Sequence, residues 1–323
     1  MARRRPSIIT QIKQTIPAKA RVLVAVSGGR DSCVLLHALT RVRRLLKLHI
    51  EVCHIDHRLR PESGKDADFV AALSEQLGVT YHVVPLGPKP ARANMEAWAR
   101  AERYRAFERV MSESKLDLLA TAHNANDVAE TLLMRLMANK ELNSIERFDP
   151  RRRCVRPLLG VTRPQIDDYV ASSKVQFVED PSNSDTVLVR NRIRHKLLPI
   201  LTSEFDPSMV WILSERASSI DRDCEALQHL AAQEAAALGA LELKNRSWLE
   251  RAALRLKSLP EALAWRVAER LIEPWFGYPI GERRSGALLG VLRGDCTRVQ
   301  LERGIVLEVV AGSLRQHGLS AEL

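Results

Sequence analysis

The chain of 323 residues contains no run of about 18 consecutive apolar residues, so no membrane-spanning helix and no membrane partner are predicted. It is poor in cysteine. The five thiols, Cys33, Cys53, Cys154, Cys224 and Cys296, are odd in number, lie far apart and form no C-x-x-C pair. That pattern excludes a disulfide framework and argues against a thiolate-held zinc or iron–sulfur centre; a reducing, cytoplasmic compartment is expected. With only 15 glycines and 15 prolines, the composition is neither fibrous nor low-complexity. The first 21 residues lack any acidic side chain, yet Ile8, Ile9, Ile12 and Ile16 are spaced rather than contiguous, so no signal-peptide core is expected there. What is abundant is positive charge. Lys and Arg number 49 against 39 Asp and Glu, a net +10, which favours polyanionic partners such as nucleic acid.

Apolar runs and helical periodicities alternate through the first two thirds of the chain. Val22–Val26 is a continuous apolar run closed by Ser27-Gly28-Gly29, which predicts a buried strand ending in a tight loop. Cys33, Leu35, Leu36, Leu39, Val42 and Leu46 then recur at helical spacing. Further strands are predicted at Leu48–His54, Tyr81–Val84 and Leu116–Thr121, with helices at Asp66–Leu77, Asn94–Met111 and Asn126–Met137 between and after them. Strands joined by helices run parallel, so a doubly wound α/β fold is expected, with its ligand site at the C-terminal ends of the strands. After Lys140 comes an arginine-rich stretch, Arg147 to Arg153, then helices near Thr162–Ser172 and Val187–Leu201. A boundary near Phe205-Asp206-Pro207 would divide the chain into a catalytic domain, 1–206, and a mainly helical domain, 207–323. The second has Ser258 as a helix N-cap and ends in a hairpin, Arg298–Leu301 with Ile305–Val310.

The chemistry is concentrated in four segments. Ser27-Gly28-Gly29-Arg30-Asp31-Ser32 stands between the first strand and the first long helix, where backbone N–H groups and the helix dipole favour an anion. The glycines allow close approach of phosphates, the Ser27 and Ser32 hydroxyls are donors, and Asp31 is placed to hold magnesium or a ligand group. The second segment, Val52 to Ser63, follows the second strand and carries His54, Asp56 and His57, which on chemistry alone suit either a metal or a nucleotide pocket. In the third, Asp127 and Glu130 lie three apart, and so on one helical face, just beyond His123 at a strand end; two carboxylates there suit a cationic ligand. The fourth, Arg190, Arg192, Arg194 and Lys196, is a cationic helix start suited to phosphates.

The first segment resembles the S-G-G-x-D-S pyrophosphate loop of the ATP pyrophosphatase superfamily, whose members cleave ATP between the α and β phosphates. The remaining segments narrow the likeness. V-C-H-I-D-H-R-L-R resembles the H-V-(N/D)-H-G-L-R segment of the lysidine synthetases, and A-R-A-E-R-Y, ending at Tyr104, is similar to their A-R-x-x-R-Y. H-N-A-N-D-V-A-E-T resembles their H-H-x-D-D-x-A-E-T, and 178–201 matches their E-D-x-S-N-x-D-x-x-x-x-R-N-x-I-R pattern almost throughout. The chain departs from the family at Arg58, Asn126 and Val128, and between Met137 and Arg156, where a Gly-rich stretch is replaced by residues including Arg151-Arg152-Arg153.

The resemblance implies an enzyme using ATP and Mg2+, a ligase forming a carbon–nitrogen bond. In it the C2 oxygen of the wobble cytidine in the CAU anticodon of tRNA(Ile) is adenylated, and free L-lysine then displaces AMP to give lysidine. It implies that Ser27, Gly28, Gly29, Arg30, Asp31, Ser32, His54, Arg103 and His123 face ATP, that Asp127, Glu130, Asn191 and Arg194 face the other substrates, and that Asp31, Asp127 and Arg190 are catalytic. The lysine amine must shed a proton, so Asp31 or His123 is expected to act as base. No protein partner is implied. Two other readings remain: a tRNA thiolase with the same first step, and a non-catalytic RNA-binding protein on the same fold.

Overall fold

The computed structural model describes residues 7–56, 63–87, 95–138, 142, 144–179, 189–243, 245–278 and 280–317. Two stretches within the family-like segments, 57–62 and 180–188, lie outside them. The chain divides into two compact units, Met1–Asp221 and Arg222–Leu323.

In the first unit, helix α1 (Ile8–Thr15) precedes strand β1 (Arg21–Ala25), and the sequence then alternates through α2 (Arg30–Leu46), β2 (His49–Asp56), α3 (Ser63–Gln76), β3 (Thr80–Pro85), α4 (Met95–Glu113), β4 (Leu118–Ala120) and α5 (Ala125–Met137). Two strands not expected from the sequence, β5 (Phe148–Asp149) and β6 (Cys154–Val155), extend the sheet. Its order is β3-β2-β1-β4-β6-β5, parallel throughout except at β5–β6. The arginine-rich stretch is thus partly a sheet edge and its turn.

Each crossover leaves its helix on one face. Helix α2 and Phe69, Val70 and Leu73 of α3 pack with β1 and β2 into one core, which also takes Ile8, Ile12 and Ile16 from the N-terminal segment. Residues of α4, including Phe107, Val110 and Met111, form a second core on Leu23, Cys53 and Leu119. Ile12 is fully buried, and burying such a side chain contributes about 2 kcal/mol, enough to hold the short α1 on the domain. Because the chain turns one way from β1 to β2 and the other way to β4, the strand order reverses between β1 and β4. A crevice opens there at the C-terminal ends of the strands, above the two loops that follow them.

At the opposite end of the sheet, buried Glu51 accepts hydrogen bonds from His49 Nε2 at 2.7 Å and His82 Nε2 at 2.6 Å. Burial alone would raise its pKa, but bonds from His49, His82 and Ser114 outweigh it and leave the pKa below the ordinary 4.5. Glu51 therefore stabilises the fold when ionised, and that contribution is lost as pH falls below about 4.5. Glu51→Gln should cost about 1–2 kcal/mol at neutral pH and flatten the acid limb of a plot of Tm against pH; an unchanged acid limb would exclude the clasp as its source.

Helix α6 (Arg163–Ser173) packs beside α2, and α7 (Val189–Arg192) leads through a π-helical turn, Ile193–Leu197, into the short α8 (Leu198–Ile200) and a second π turn, Leu201–Phe205. Ala125 and Ala129 of α5 pack against Ile193, Leu198 and Val210. The long α9 (Met209–Leu238) begins close to the boundary expected at 206/207, while the division between the compact units falls inside it.

The second unit contains α10 (Arg246–Ser258), α11 (Glu261–Phe276) and α12 (Glu282–Arg293) around a core that includes Trp248, Ala264, Val267, Leu288 and Leu292. Ser258 does not cap α11 as the sequence predicted. Its hydroxyl donates to the Arg255 carbonyl at the end of α10, and Pro260 occupies the N-cap. The expected terminal hairpin is present as β7 (Arg298–Gln300) and β8 (Val306–Val310), and β9 (Ser313–His317) adds a third antiparallel strand. No helix among the described residues is long and apolar enough to cross a membrane.

Candidate active site

The loop after β1 takes a shape that requires glycine: Gly28 has φ +90°, a left-handed conformation that side chains disfavour. Ser27 and Ser32 close over it, their hydroxyls 3.2 Å apart, while Ser32 Oγ donates to the Gly29 carbonyl at 2.8 Å. Gly29 is the N-cap of α2 and offers no side-chain oxygen to the helix's first N–H groups. An anion in the crevice would find those donors turned toward it. The Arg30 guanidinium pairs with Asp167 at 2.6 Å and lies 5.0 Å from the Phe177 ring centroid, tying α2 to α6.

Asp31 sits at the centre. Its Oδ2 accepts from Asn124 Nδ2 at 2.9 Å and Arg163 NH2 at 3.2 Å, while Oδ1 is buried without a hydrogen-bond partner. A buried carboxylate oxygen with no donor is costly unless something absent from the chain completes it. Mg2+ fits this donor set, since it is commonly held by one or two carboxylates together with substrate phosphates. Burial raises the Asp31 pKa, and nearby Asp127 adds to the rise, against Arg163, Arg194 and Arg30.

Asn124 was not among the residues the sequence brought forward, nor was Arg163. Fully buried, Asn124 forms a capping box: its Oδ1 accepts from the Asn126 and Asp127 backbone N–H groups, and Asp127 Oδ2 accepts from the Asn124 N–H at 2.9 Å. The asparagine thus joins the loop after β1 to the helix after β4, across the crevice. An N-cap residue three before an acidic one was a legible signal for the box, though not for the bond to Asp31. Arg163, the first residue of α6, gave no signal.

Asp127 and Glu130 do share a face of α5, and the cations facing them belong to the chain itself. Arg190 donates to Glu130 Oε2 at 2.8 Å and to Asp127 Oδ1 at 3.0 Å; Arg194 donates to Glu130 Oε1 at 2.7 Å and Oε2 at 3.0 Å and to Asp127 Oδ1 at 3.3 Å. Glu130 is fully buried, and both its oxygens are taken. The i, i+4 spacing of the arginines matches the i, i+3 spacing of the carboxylates, so two helices meet through a four-membered ionic network. Asn191 is buried beside Arg190 in the sequence.

His123 lies between this network and the sheet, its Nδ1 3.0 Å from Thr121 Oγ1. Burial, with Arg156, Arg190 and Arg100 nearby, pulls its pKa down to about 4 despite Asp127, so the imidazole is neutral at physiological pH. His54 is buried with Nδ1 2.9 Å from the Val26 carbonyl, tying the ends of β2 and β1 together. Arg103 is half-buried on α4. The thiols of Cys33 and Cys53 are buried and pushed up to about 12, and that of Cys154 is raised by burial too, so none of the three is a ready thiolate.

Comparison with known proteins bears on this geometry directly. A family model described as a PP-loop domain matches residues 4–201. The chain is 33% identical over 283 residues to a tRNA(Ile)-lysidine synthase of Gloeobacter violaceus, covering 86% of this chain and 84% of that one. The chain belongs to the tRNA(Ile)-lysidine synthase family of PP-loop proteins. Its likeness to the tRNA(Ile)-lysidine synthase of Clostridium perfringens strain 13 is 36% over 230 residues, 68% of this chain and 49% of that protein. The chain spans about half the length of several of the curated relatives it matches. Among solved structures, a U34-tRNA thiolase, NcsA from Methanococcus maripaludis, shares the fold with a TM-score of 0.58 at 16% identity, covering 67% of this chain and 78% of that one. The loop from Ser27 to Ser32, with one oxygen of Asp31 unmatched, lies within the matched PP-loop domain.

Proposed function

We propose that the protein is a ligase that joins lysine to the wobble cytidine of tRNA(Ile) bearing a CAU anticodon. The observation that carries the reading is the half-buried Asp31 carboxylate, held on one oxygen by Asn124 and Arg163 and without a partner on the other, at the start of the PP-loop helix. In the first step the cytidine C2 oxygen attacks the α-phosphate of ATP and pyrophosphate leaves toward the loop of Ser27, Gly28, Gly29 and Ser32. In the second the lysine ε-amine attacks C2, the bond from C2 to the adenylate oxygen breaks, and AMP leaves. Asp31 would hold Mg2+, which would neutralise charge on the phosphates. Asp31 keeps the triphosphate in register with α2. Arg190 and Arg194 present guanidinium charge toward the transferring phosphate or the lysine carboxylate.

The neutral His123 is a poor proton acceptor with a pKa of about 4, and Asp31 is committed to Asn124, Arg163 and the metal, so the ammonium proton of lysine is assigned to solvent water at the crevice. Asp127, less buried than Glu130, is assigned to the lysine amine; Glu130 is assigned to holding the two arginines. The cytoplasm, with its nucleotide pool and tRNA, is the compartment this activity needs. The deciding experiment is incorporation of labelled lysine into unmodified tRNA(Ile) with a CAU anticodon, with and without ATP. ATP-dependent incorporation is expected. Adenylation without lysine transfer would point to another nucleophile, and neither reaction with folded protein would end the reading. The burial of Cys33, Cys53 and Cys154, which raises their thiols, weighs against sulfur delivery by any of the three.

Asn124 should act as a positioning residue. Asn124→Ser keeps an N-cap for α5 but is too short to reach Asp31. It should lower kcat for ATP cleavage about tenfold and leave KM for lysine and the Tm nearly unchanged. A comparable fall in Tm would reduce Asn124 to a structural cap.

A further inference from the structure

On the face of the large sheet covered by α4, a cavity of about 430 Å3 opens beside β4. Its floor is apolar, formed by Phe107 and Met111 of α4 and Leu119 of β4, members of the second core. Its rim is cationic: Arg100 and Arg105 come from α4, and Arg151, Arg152 and Arg153 from the turn between β5 and β6, against the one acidic lining residue, Glu108. Tyr104 stands between the two groups. The Arg100 guanidinium lies 5.4 Å from its ring centroid and that of Arg152 lies 4.5 Å from it, so these charges are held at the opening by the ring. Arg152 also bonds Asp149 at 2.8 Å, Arg153 donates to the Leu116 carbonyl, and Arg105 pairs with Glu102. Arg100 and Arg151 have no carboxylate partner among the described residues, which leaves the rim with an excess of positive charge.

The cavity and the candidate active site share strand β4, which contributes Leu119 to the one and leads to His123 of the other. Leu119, Thr121 and His123 follow at steps of two, and Thr121 Oγ1 reaches both the Cys154 thiol at 3.6 Å and His123 Nδ1 at 3.0 Å. An apolar floor with an aromatic side chain under an arginine rim is the combination that binds a nucleotide, base against the floor and phosphate at the guanidiniums. The volume lies in the range of small-molecule sites. Three of the five arginines occupy the stretch where this chain departs from the glycine-rich pattern of its family.

We propose that this cavity binds one nucleotide of the RNA substrate other than the one that reacts, its base against Tyr104, Phe107 and Leu119 and its phosphate between Arg100 and Arg151. The inference rests on the reading that RNA is the substrate. A free mononucleotide offers the same chemistry, and the test separates the two sources. Arg100→Gln with Arg151→Gln lowers the charge of the rim at two exposed positions outside every core cluster. Full-length wild-type and variant proteins, matched by thermal melting, are titrated with unmodified tRNA(Ile) over a salt series without lysine, and separately with ATP without RNA.

The variant should bind the tRNA about tenfold more weakly at low salt, with the log–log salt slope reduced by about 1, and bind ATP as the wild type does. Arg100→Lys with Arg151→Lys should restore the slope. Unchanged RNA affinity and slope would overturn the proposal while leaving the wider functional reading intact. Weakened ATP binding with unchanged RNA binding would reassign the cavity to a free nucleotide. A wild-type protein that does not bind the tRNA would remove the RNA reading itself, and the cavity proposal with it.

Discussion

Asp31→Asn should lower ATP cleavage by about 10²–10³-fold while leaving the protein as stable as the wild type or more so. The two halves of this expectation come from the same carboxylate. Its Oδ2 contacts to Asn124 and Arg163 survive in the amide, since the remaining carbonyl still accepts. What disappears is the charge; the amide nitrogen that takes the place of Oδ1 is buried without a partner as the oxygen was. Burial raises the pKa of Asp31 above the ordinary 3.8. A carboxyl whose folded pKa exceeds its unfolded one destabilises the native state wherever it is ionised, a penalty that grows as pH rises above 3.8. At neutral pH the amide removes that penalty, so Tm should hold or rise as activity falls. Strain of this kind, kept in the fold because the reaction uses it, is a mark of a working site. The measurement is pyrophosphate release beside thermal melting at pH 7. A variant that loses activity and stability together would show that Asp31 supports the fold instead, and one that keeps its activity would remove Asp31 from the chemistry.

The placement of Asp31 was readable because it depends on short-range grammar. Val22 to Val26 is too uniformly apolar to be anything but a strand buried on both faces, and a Ser-Gly-Gly loop before a helical periodicity fixes where that strand ends. The reversal of strand order between β1 and β4 then follows from the handedness of the crossovers. Other elements were within reach and were missed. Ile8, Ile12 and Ile16 recur at steps of four, a helical signature that served only to argue against a contiguous apolar core at the N-terminus; the structure buries all three. Strands β5 and β6 have two residues each, shorter than any period can reveal, and exist because the sheet edge beside β4 is there to pair with.

The limits of the sequence are sharpest at the ionic network. Charges can be counted along a chain, but their partners are set by tertiary structure: Arg190 and Glu130 are 60 residues apart, and Arg194 and Glu130 are 64 apart. Without that pairing, two carboxylates on a helix near a strand end were naturally read as facing a cationic substrate. The two carboxylates do share a helical face, and what they meet there is Arg190 and Arg194 of the fourth segment. Arg30 shows the same limit, since its position in the phosphate loop says nothing of Asp167, which it meets 137 residues away.

Glu130→Gln and Glu130→Ala should therefore behave as losses of a positioning group. With Glu130 fully buried and Arg194 three quarters buried, removing the carboxylate leaves two guanidiniums facing each other with only Asp127 between them. Breaking a buried ion pair from one side costs about 3–5 kcal/mol; Arg190 is 40% exposed and recovers some hydration, which puts the alanine variant near the lower figure. For a unit of this size that corresponds to a fall in Tm of roughly 6–12 °C. The glutamine variant keeps one acceptor and should fall by less. In both, binding of ATP and tRNA should weaken because Arg190 and Arg194 lose their aim, whereas KM for lysine should change no more than KM for ATP. The competing expectation, that Glu130 itself grips the lysine amine, requires a selective rise in lysine KM with Tm preserved. Asp127→Asn supplies the contrast: with one oxygen already committed to the cap of α5 and the other shared by the arginines, the amide keeps the fold within about 1–2 kcal/mol and should raise lysine KM selectively. If Asp127→Asn and Glu130→Gln shift lysine KM alike with the fold intact, the two carboxylates act together on the substrate, and the arginines are their companions only until lysine arrives.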